Sequence, residues 1–262
     1  MADVERYLEG KHAVVTGGSR GIGAAVAAEL VRRGAKVTIM GRSAETLERQ
    51  AAGLRGEPGA TVAVAECDVS SETSVRAAFA HAIGALGPAY ILVNNAGTAR
   101  SRTFTQTTRE VWDEMLAVNL TGTFLCTSEV LPAMIEAKSG RIINIASTAG
   151  LRGYRTMSAY CAAKHGVVGM TRTLALETAR DGVTVNAVCP SYTDTYLTSL
   201  AVNNLITNLG KSSDEALGML TRTIPRGTLI TPEEVAGAVS WLCSPGTSGV
   251  TGIMLPIGGE VS

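Results

Sequence analysis

The sequence predicts an α/β protein built on a doubly wound, seven-stranded parallel sheet flanked by helices. Short apolar runs alternate with helical patterns along the whole chain, as strands covered on both faces by helices require. The first run feeds a glycine-rich turn that opens directly into a helix. No Pro/Gly/Ser-rich linker interrupts the 262 residues, so one domain over 1–262 accounts for the length.

The elements follow in order. After Lys11, His-Ala-Val-Val-Thr reads as strand one, and the alanine-rich stretch Gly23 to Arg33 as a helix that Gly34 ends. Lys36 to Met40 is β-like, Ala44 to Ala52 helical, Thr61 to Ala65 β-like, Ser71 to Ile83 helical and Tyr90 to Val93 β-like. A long helix runs from Thr108 to about Ala137, with a kink expected at Pro132. Strand Arg141 to Ala146, a helix from Ser158 and strand Val183 to Val188 come next. Thr231 is the cap and Pro232 the first turn of a helix over Glu233 to Cys243, and Ile253 to Leu255 is the last strand. Residues 191–230 break the rhythm with two weak helical patterns, an insert placed to act as a substrate lid.

Composition excludes several function classes. Hydrophobic residues are 45% and charged residues 18%, which excludes a disordered chain. Lys plus Arg and Asp plus Glu are both 23, leaving no basic excess for nucleic acid. Three dispersed histidines, His12, His81 and His165, offer no metal-ligand spacing, so no metal site is expected. Cys67, Cys126, Cys161, Cys189 and Cys243 are odd in number and unpaired in spacing, which points to free thiols in a reducing, cytoplasmic setting. The longest apolar segment, Val111 to Met134, is broken by Asp113, Glu114, Asn119 and Glu129, so no membrane span is expected.

The turn Thr16-Gly17-Gly18-Ser19-Arg20-Gly21-Ile22-Gly23 has glycines that let backbone N–H groups approach a pyrophosphate at a helix N-terminus. Its spacing is Gly-x-x-x-Gly-x-Gly rather than Gly-x-Gly-x-x-Gly. The second strand ends in Met40-Gly41-Arg42-Ser43, without the acid that would hold the ribose hydroxyls of NAD. Arg42, with Arg20, can instead clasp a 2′-phosphate, which favours NADP and keeps NAD as the alternative. Tyr160 and Lys164, four apart on a helix, share a face, and a neighbouring ammonium is expected to lower the phenol pKa from about 10. Ser147, at the C-terminal end of its strand, is placed to hold a substrate oxygen.

With Asp68-Val69, Asn94-Asn95-Ala96-Gly97 and Asn119 added, in this order and spacing, the chain resembles the short-chain dehydrogenase/reductase family in its single-domain, Rossmann-type form over essentially its full length. The resemblance is to the 3-oxoacyl thioester reductases and related ketoreductases. It implies that Asp68 and Val69 contact adenine, that Asn95, Ala96 and Gly97 line the adenosine ribose, and that Pro190, Thr193 and Thr195 flank the nicotinamide. It also implies that Asn119 holds Lys164 through a water, that Lys164 binds the nicotinamide ribose, and that Tyr160 and Ser147 serve a carbonyl. The implied reaction is reduction of a ketone to a secondary alcohol, or the reverse. Ser191 stands where the family usually has glycine, and strain is expected there if φ is positive.

A small-molecule substrate is expected against an apolar wall of Leu151, Tyr154, Met157, Tyr192, Leu197, Leu200 and Leu205. Arg100, Arg102 and Arg152 are either solvated or placed to meet an acidic carrier. Three substrate classes stay open: 3-oxoacyl thioesters, aryl or alkyl ketones, and cyclic or polyol alcohols. An NAD-preferring alcohol dehydrogenase and a non-catalytic dinucleotide sensor are the rival readings. Family resemblance implies a homotetramer, or a homodimer, built through the Ser158 helix, the Asn119 helix and the C-terminal strand, with 257–262 near a neighbour.

Overall fold

A computed structural model describes residues 6–259. The chain runs β1 (His12–Thr16), α1 (Gly21–Arg32), β2 (Lys36–Gly41), α2 (Ala44–Arg55), β3 (Thr61–Glu66), α3 (Glu72–Leu86), β4 (Ile91–Asn94), α4 (Arg109–Leu116), α5 (Gly122–Glu136) and β5 (Gly140–Ile145). It continues through α6 (Ser158–Glu177), β6 (Val183–Pro190), α7 (Tyr196–Leu209), α8 (Ser213–Thr221), α9 (Pro232–Leu242) and β7 (Met254–Ile257). Seven strands form one parallel sheet in the order β3-β2-β1-β4-β5-β6-β7. The order reverses between β1 and β4, so the crevice at their C-terminal ends is the natural ligand position. Residues 260–262 of the expected subunit contact lie outside the described residues.

Each face of the sheet is covered by its own core. Val26 and Leu30 of α1, Leu47 of α2 and Val235 and Val239 of α9 close one side over Val15, Ile39 and Val93. Phe79 of α3 and Cys126, Val130 and Met134 of α5 close the other over Val14, Met40, Leu92 and Ile142. All five cysteines are buried free thiols. The local signals at the helix starts are realised: Ser43 and Ser71 cap α2 and α3, and Thr231 with Glu234 forms a capping box behind Pro232.

Four expectations change. α1 begins at Gly21 rather than Gly23, and β7 covers Met254–Ile257 rather than Ile253 to Leu255. The long helix from Thr108 is not continuous. It is interrupted by a π-helical turn, Ala117–Thr121, and Pro132 sits inside α5 without ending it. The distortion falls on Asn119, whose Nδ2 donates to the Met115 carbonyl at 2.9 Å, and π-bulges of this kind gather at functional sites. Ser191 is not strained: the left-handed non-glycine residues among those described are Lys138 and Thr156, and the Ser191 N–H donates to the Ile257 carbonyl at 3.0 Å.

Arg141, at the foot of β5, is only 6% exposed and has no carboxylate partner among the described residues. Its Nη1 donates to the Gly140 carbonyl, its guanidinium lies 5.7 Å from the Tyr90 ring centroid, and its Nε has no acceptor. A buried charge so sparsely compensated costs more desolvation than it recovers. Arg141→Met should therefore stabilise the fold by about 1 kcal/mol, a rise in Tm of about 3 °C by calorimetry. A fall in Tm would contradict this reading.

Candidate active site

The crevice between β1 and β4 is built around Thr16. Its hydroxyl accepts from the N–H groups of Asn95 and Ala96, both at 3.0 Å, which ties the end of β1 to the start of the β4 loop. The Asn95 amide donates back to the carbonyls of Thr16 (2.9 Å) and Gly17 (3.1 Å). Glycine is required here for two reasons. Gly17 and Gly21 have φ of +64° and +55°, and a Cβ on Gly23 would collide with the Gly17 carbonyl and the Asn95 amide. The backbone thus forms a cradle at the N-terminus of α1, whose first N–H groups receive no side-chain cap. That cradle fits a dinucleotide pyrophosphate.

Around it, Ser19 places its hydroxyl near Gly41 at the end of β2, and Ile22 packs partly into the core below. Arg42 is exposed at the end of β2 and forms no ion pair among the described residues, but its charge helps hold the Asp68 carboxyl below the usual range. The larger cause there is Ser70, whose hydroxyl and N–H donate to the Asp68 carboxylate at 2.6 and 3.0 Å. Val69 is buried and packs on Gly122 of α5, leaving its side chain to the core. Arg20 is the N-cap residue of α1. Its guanidinium stands 4.7 Å from the ring centroid of Tyr196, at the start of α7.

Ser147, Tyr160 and Lys164 come together past the C-terminal end of β5. The Ser147 hydroxyl accepts from the Ala149 N–H at 3.0 Å and interacts with the Tyr160 phenol. Lys164 is 5% exposed, and its Nζ donates to the Ile145 carbonyl at 2.8 Å and lies 5.7 Å from the Tyr160 ring centroid. The expected lowering of the phenol pKa is reversed. Burial pushes Tyr160 up to about 12, against a downward pull from Ser147, and burial lowers Lys164 to about 8. Desolvation therefore dominates the pair, and at neutral pH the phenol keeps its proton.

Asn119 braces the opposite wall. Its Oδ1 accepts from Thr98 N–H (3.2 Å) and its Nδ2 donates to the Thr98 carbonyl (3.0 Å). Both Asn119 Oδ1 and Lys164 Nζ face Gly97, where a Cβ would lie 2.9 and 3.8 Å from them. Pro190 ends β6, and Thr193 and Thr195 follow with hydroxyls turned onto the carbonyls of Ser191 (3.1 Å) and Thr193 (3.3 Å).

The pocket wall is partly as expected. Tyr192 lies close enough to Tyr160 to raise its pKa, whereas Leu197 and Leu200 are exposed. Tyr154 hydrogen-bonds Thr148 at 2.8 Å and accepts from Arg152 at 3.0 and 3.2 Å, so these two side chains fix their own loop. Arg100 is forked onto Glu114, at 2.7 and 3.3 Å, and Arg102 donates to the Ser101 carbonyl. The Ile145 carbonyl that holds Lys164 is a backbone acceptor and leaves no residue-type signature in the sequence, whereas the Thr16 hydroxyl that ties β1 to the β4 loop is marked there by a hydroxyl residue ending the first strand.

Residues 11–205 match the family described as short chain dehydrogenase. A 3-oxoacyl-acyl-carrier-protein reductase of Aquifex aeolicus is 37% identical over 98% of this chain and 99% of its own. A D-threitol dehydrogenase of Mycolicibacterium smegmatis is 38% identical over 98% and 95%. A solved actinorhodin polyketide ketoreductase carrying NADPH is 38% identical, with a TM-score of 0.91 over 95% of this chain and 96% of that one. Glycine cradle, sheet order and the Ser, Tyr and Lys cluster agree with these likenesses, and the chain belongs to the short-chain dehydrogenase family.

Proposed function

We propose that this protein is an NADP-linked oxidoreductase that reduces a ketone, either a 3-oxoacyl thioester or an aryl or alkyl ketone, to a secondary alcohol. The single observation that carries this reading is the gathering of Ser147, Tyr160 and Lys164 beside the glycine cradle. Relatives that reduce 3-oxoacyl groups and a neighbour that carries NADPH support it.

A bound nicotinamide dinucleotide supplies the hydride. The chain's own residues do the rest. Ser147 donates a hydrogen bond to the carbonyl oxygen and orients it, and Tyr160 delivers a proton to that oxygen as charge develops. Lys164 holds the nicotinamide ribose and carries positive charge below about pH 8, and Asn119 fixes the wall that faces it. In the oxidative direction Tyr160 accepts the proton. Arg42 takes the 2′-phosphate, Asp68 and Val69 border the adenine, and Asn95, Ala96 and Gly97 the ribose. Pro190, Thr193 and Thr195 flank the nicotinamide, and the α7–α8 segment of 191–230 closes over the substrate.

Among the described residues no helix is long and apolar enough to cross a membrane. Buried free thiols suit a reducing, cytoplasmic setting, and family likeness favours a homotetramer. The D-threitol dehydrogenase relative supports a second reading, oxidation of a secondary alcohol.

The test is turnover with NADPH and NADH on a 3-oxoacyl thioester, an aryl ketone and a polyol. NADPH-dependent loss of the thioester or ketone is the expected result. Oxidation of the polyol with NAD, and no ketone reduction, would favour the second reading. Arg42→Ala should weaken NADPH binding roughly tenfold and NADH binding little, read by fluorescence titration. Equal losses for both nucleotides would remove Arg42 from the 2′-phosphate.

A further inference from the structure

The start of α7 touches the glycine-rich turn at two adjacent points. The Arg20 guanidinium stacks 4.7 Å from the Tyr196 ring centroid, and the Thr195 methyl lies 3.2 Å from where a Cβ on Gly21 would sit. Gly21 opens α1, and Tyr196 opens α7. The segment proposed to cover the substrate is therefore seated on the turn proposed to hold the pyrophosphate. Tyr196 is 54% exposed, and its aromatic face is what it offers the guanidinium. The same stack turns Arg20 toward α7, which leaves Arg42 as the cation at the end of β2.

From this we infer that Tyr196 is a positioning residue, acting through Arg20 to couple dinucleotide binding to the ordering of α7 over the substrate. The inference rests on the dinucleotide reading above. A dinucleotide seated in the glycine-rich turn steadies the backbone that carries Arg20 at the start of α1, so its guanidinium presents a fixed cationic face to the ring, and the ring in turn limits the excursions of the turn. Each partner strengthens the other's hold, because coupling between two sites is reciprocal. The ring does not lie at the 2′-phosphate position, so its effect is the same for NADPH and NADH. Substrate affinity benefits through the ordered α7, and the loss on removing the ring falls on KM for the ketone more than on kcat.

The experiment is hydrogen–deuterium exchange of the 196–209 amides in the full chain, with and without saturating NADPH, beside direct titration of both nucleotides. It compares wild type, Tyr196→Leu, Tyr196→Phe, Arg20→Ala and the double variant Arg20→Ala with Tyr196→Leu. NADPH should protect these amides in wild type and in Tyr196→Phe. Tyr196→Leu should lose about threefold of that protection and about threefold in ketone KM, with the NADPH to NADH preference unchanged. The double variant should lose no more protection than either single change. Additive losses, or wild-type protection in Tyr196→Leu, would overturn the coupling while leaving the cofactor reading intact. Failure of the wild type to bind either nucleotide would overturn both.

Discussion

Tyr160→Phe is expected to lower kcat/KM for ketone reduction by about a thousandfold while leaving NADPH affinity within twofold of wild type. The change removes one oxygen from the first turn of α6 and keeps the ring that packs beside Lys164. What is lost is the proton. Burial holds the phenol pKa near 12, so at pH 7 the hydroxyl is fully protonated and, next to Ser147, faces the position of a developing alkoxide. General acid catalysis contributes about 10²–10⁴ in rate, which sets the scale of the expected loss. Single-turnover kinetics measures the first half of this expectation and fluorescence titration of NADPH the second. Turnover near the wild-type rate would exclude Tyr160 as the proton donor.

Lys164→Met should abolish most activity and at the same time stabilise the fold. Lys164 holds an ammonium at a site that depresses its pKa from 10.5 to about 8 through burial, with the Ile145 carbonyl accepting from it at 2.8 Å. At pH 7 that depression corresponds to roughly 3 kcal/mol of stability lost. The sign follows from proton counting. Between pH 8 and 10.5 the unfolded lysine binds a proton that the folded one has released, so stability rises with pH across this window and is lowest below it. Methionine removes the charge and keeps the apolar length, so Tm at pH 7 should rise and its increase between pH 8 and 10 should flatten. The same titration shapes catalysis: reduction should be flat at low pH and fall tenfold per pH unit above about 8, as the ammonium is lost. A wild-type rate that ignores pH between 7 and 10 would show that the charge on Lys164 is not used. A residue that destabilises its own fold in this way is a mark of function, since stability and activity pull apart at such sites.

The parts of this account that were legible in the sequence are those written in residue type and spacing. The alternation of apolar runs with helical stretches gave the strands and helices in order, and Thr231-Pro232 marked the start of α9. The glycines at 17, 21 and 23 and the Tyr160 and Lys164 pair located the crevice and the reacting groups. What was not legible depends on distances between segments far apart in the chain. The π-turn carries Asn119, whose carboxamide is bonded in both directions to the backbone of Thr98, 21 positions away, and no local propensity announces that contact. The phenol pKa departs from the sequence expectation because adjacency of an ammonium is visible in sequence, whereas the extent of burial is not. Arg20 was expected beside a phosphate, and its stack on Tyr196, 176 positions away in the chain, could not be read from either segment alone.

The most direct test of the central claim follows the hydride. Purified protein is given NADPH deuterated at the nicotinamide C4, with the label on one face and then on the other, and a 3-oxoacyl thioester or an aryl ketone, and the alcohol product is weighed by mass spectrometry. One label should transfer a single deuterium, as deuteride, to the carbinol carbon, one alcohol forming per NADPH consumed, and Tyr160→Phe should suppress that product. Alcohol without deuterium from either label, or an unchanged yield from Tyr160→Phe, would contradict hydride transfer assisted by this site.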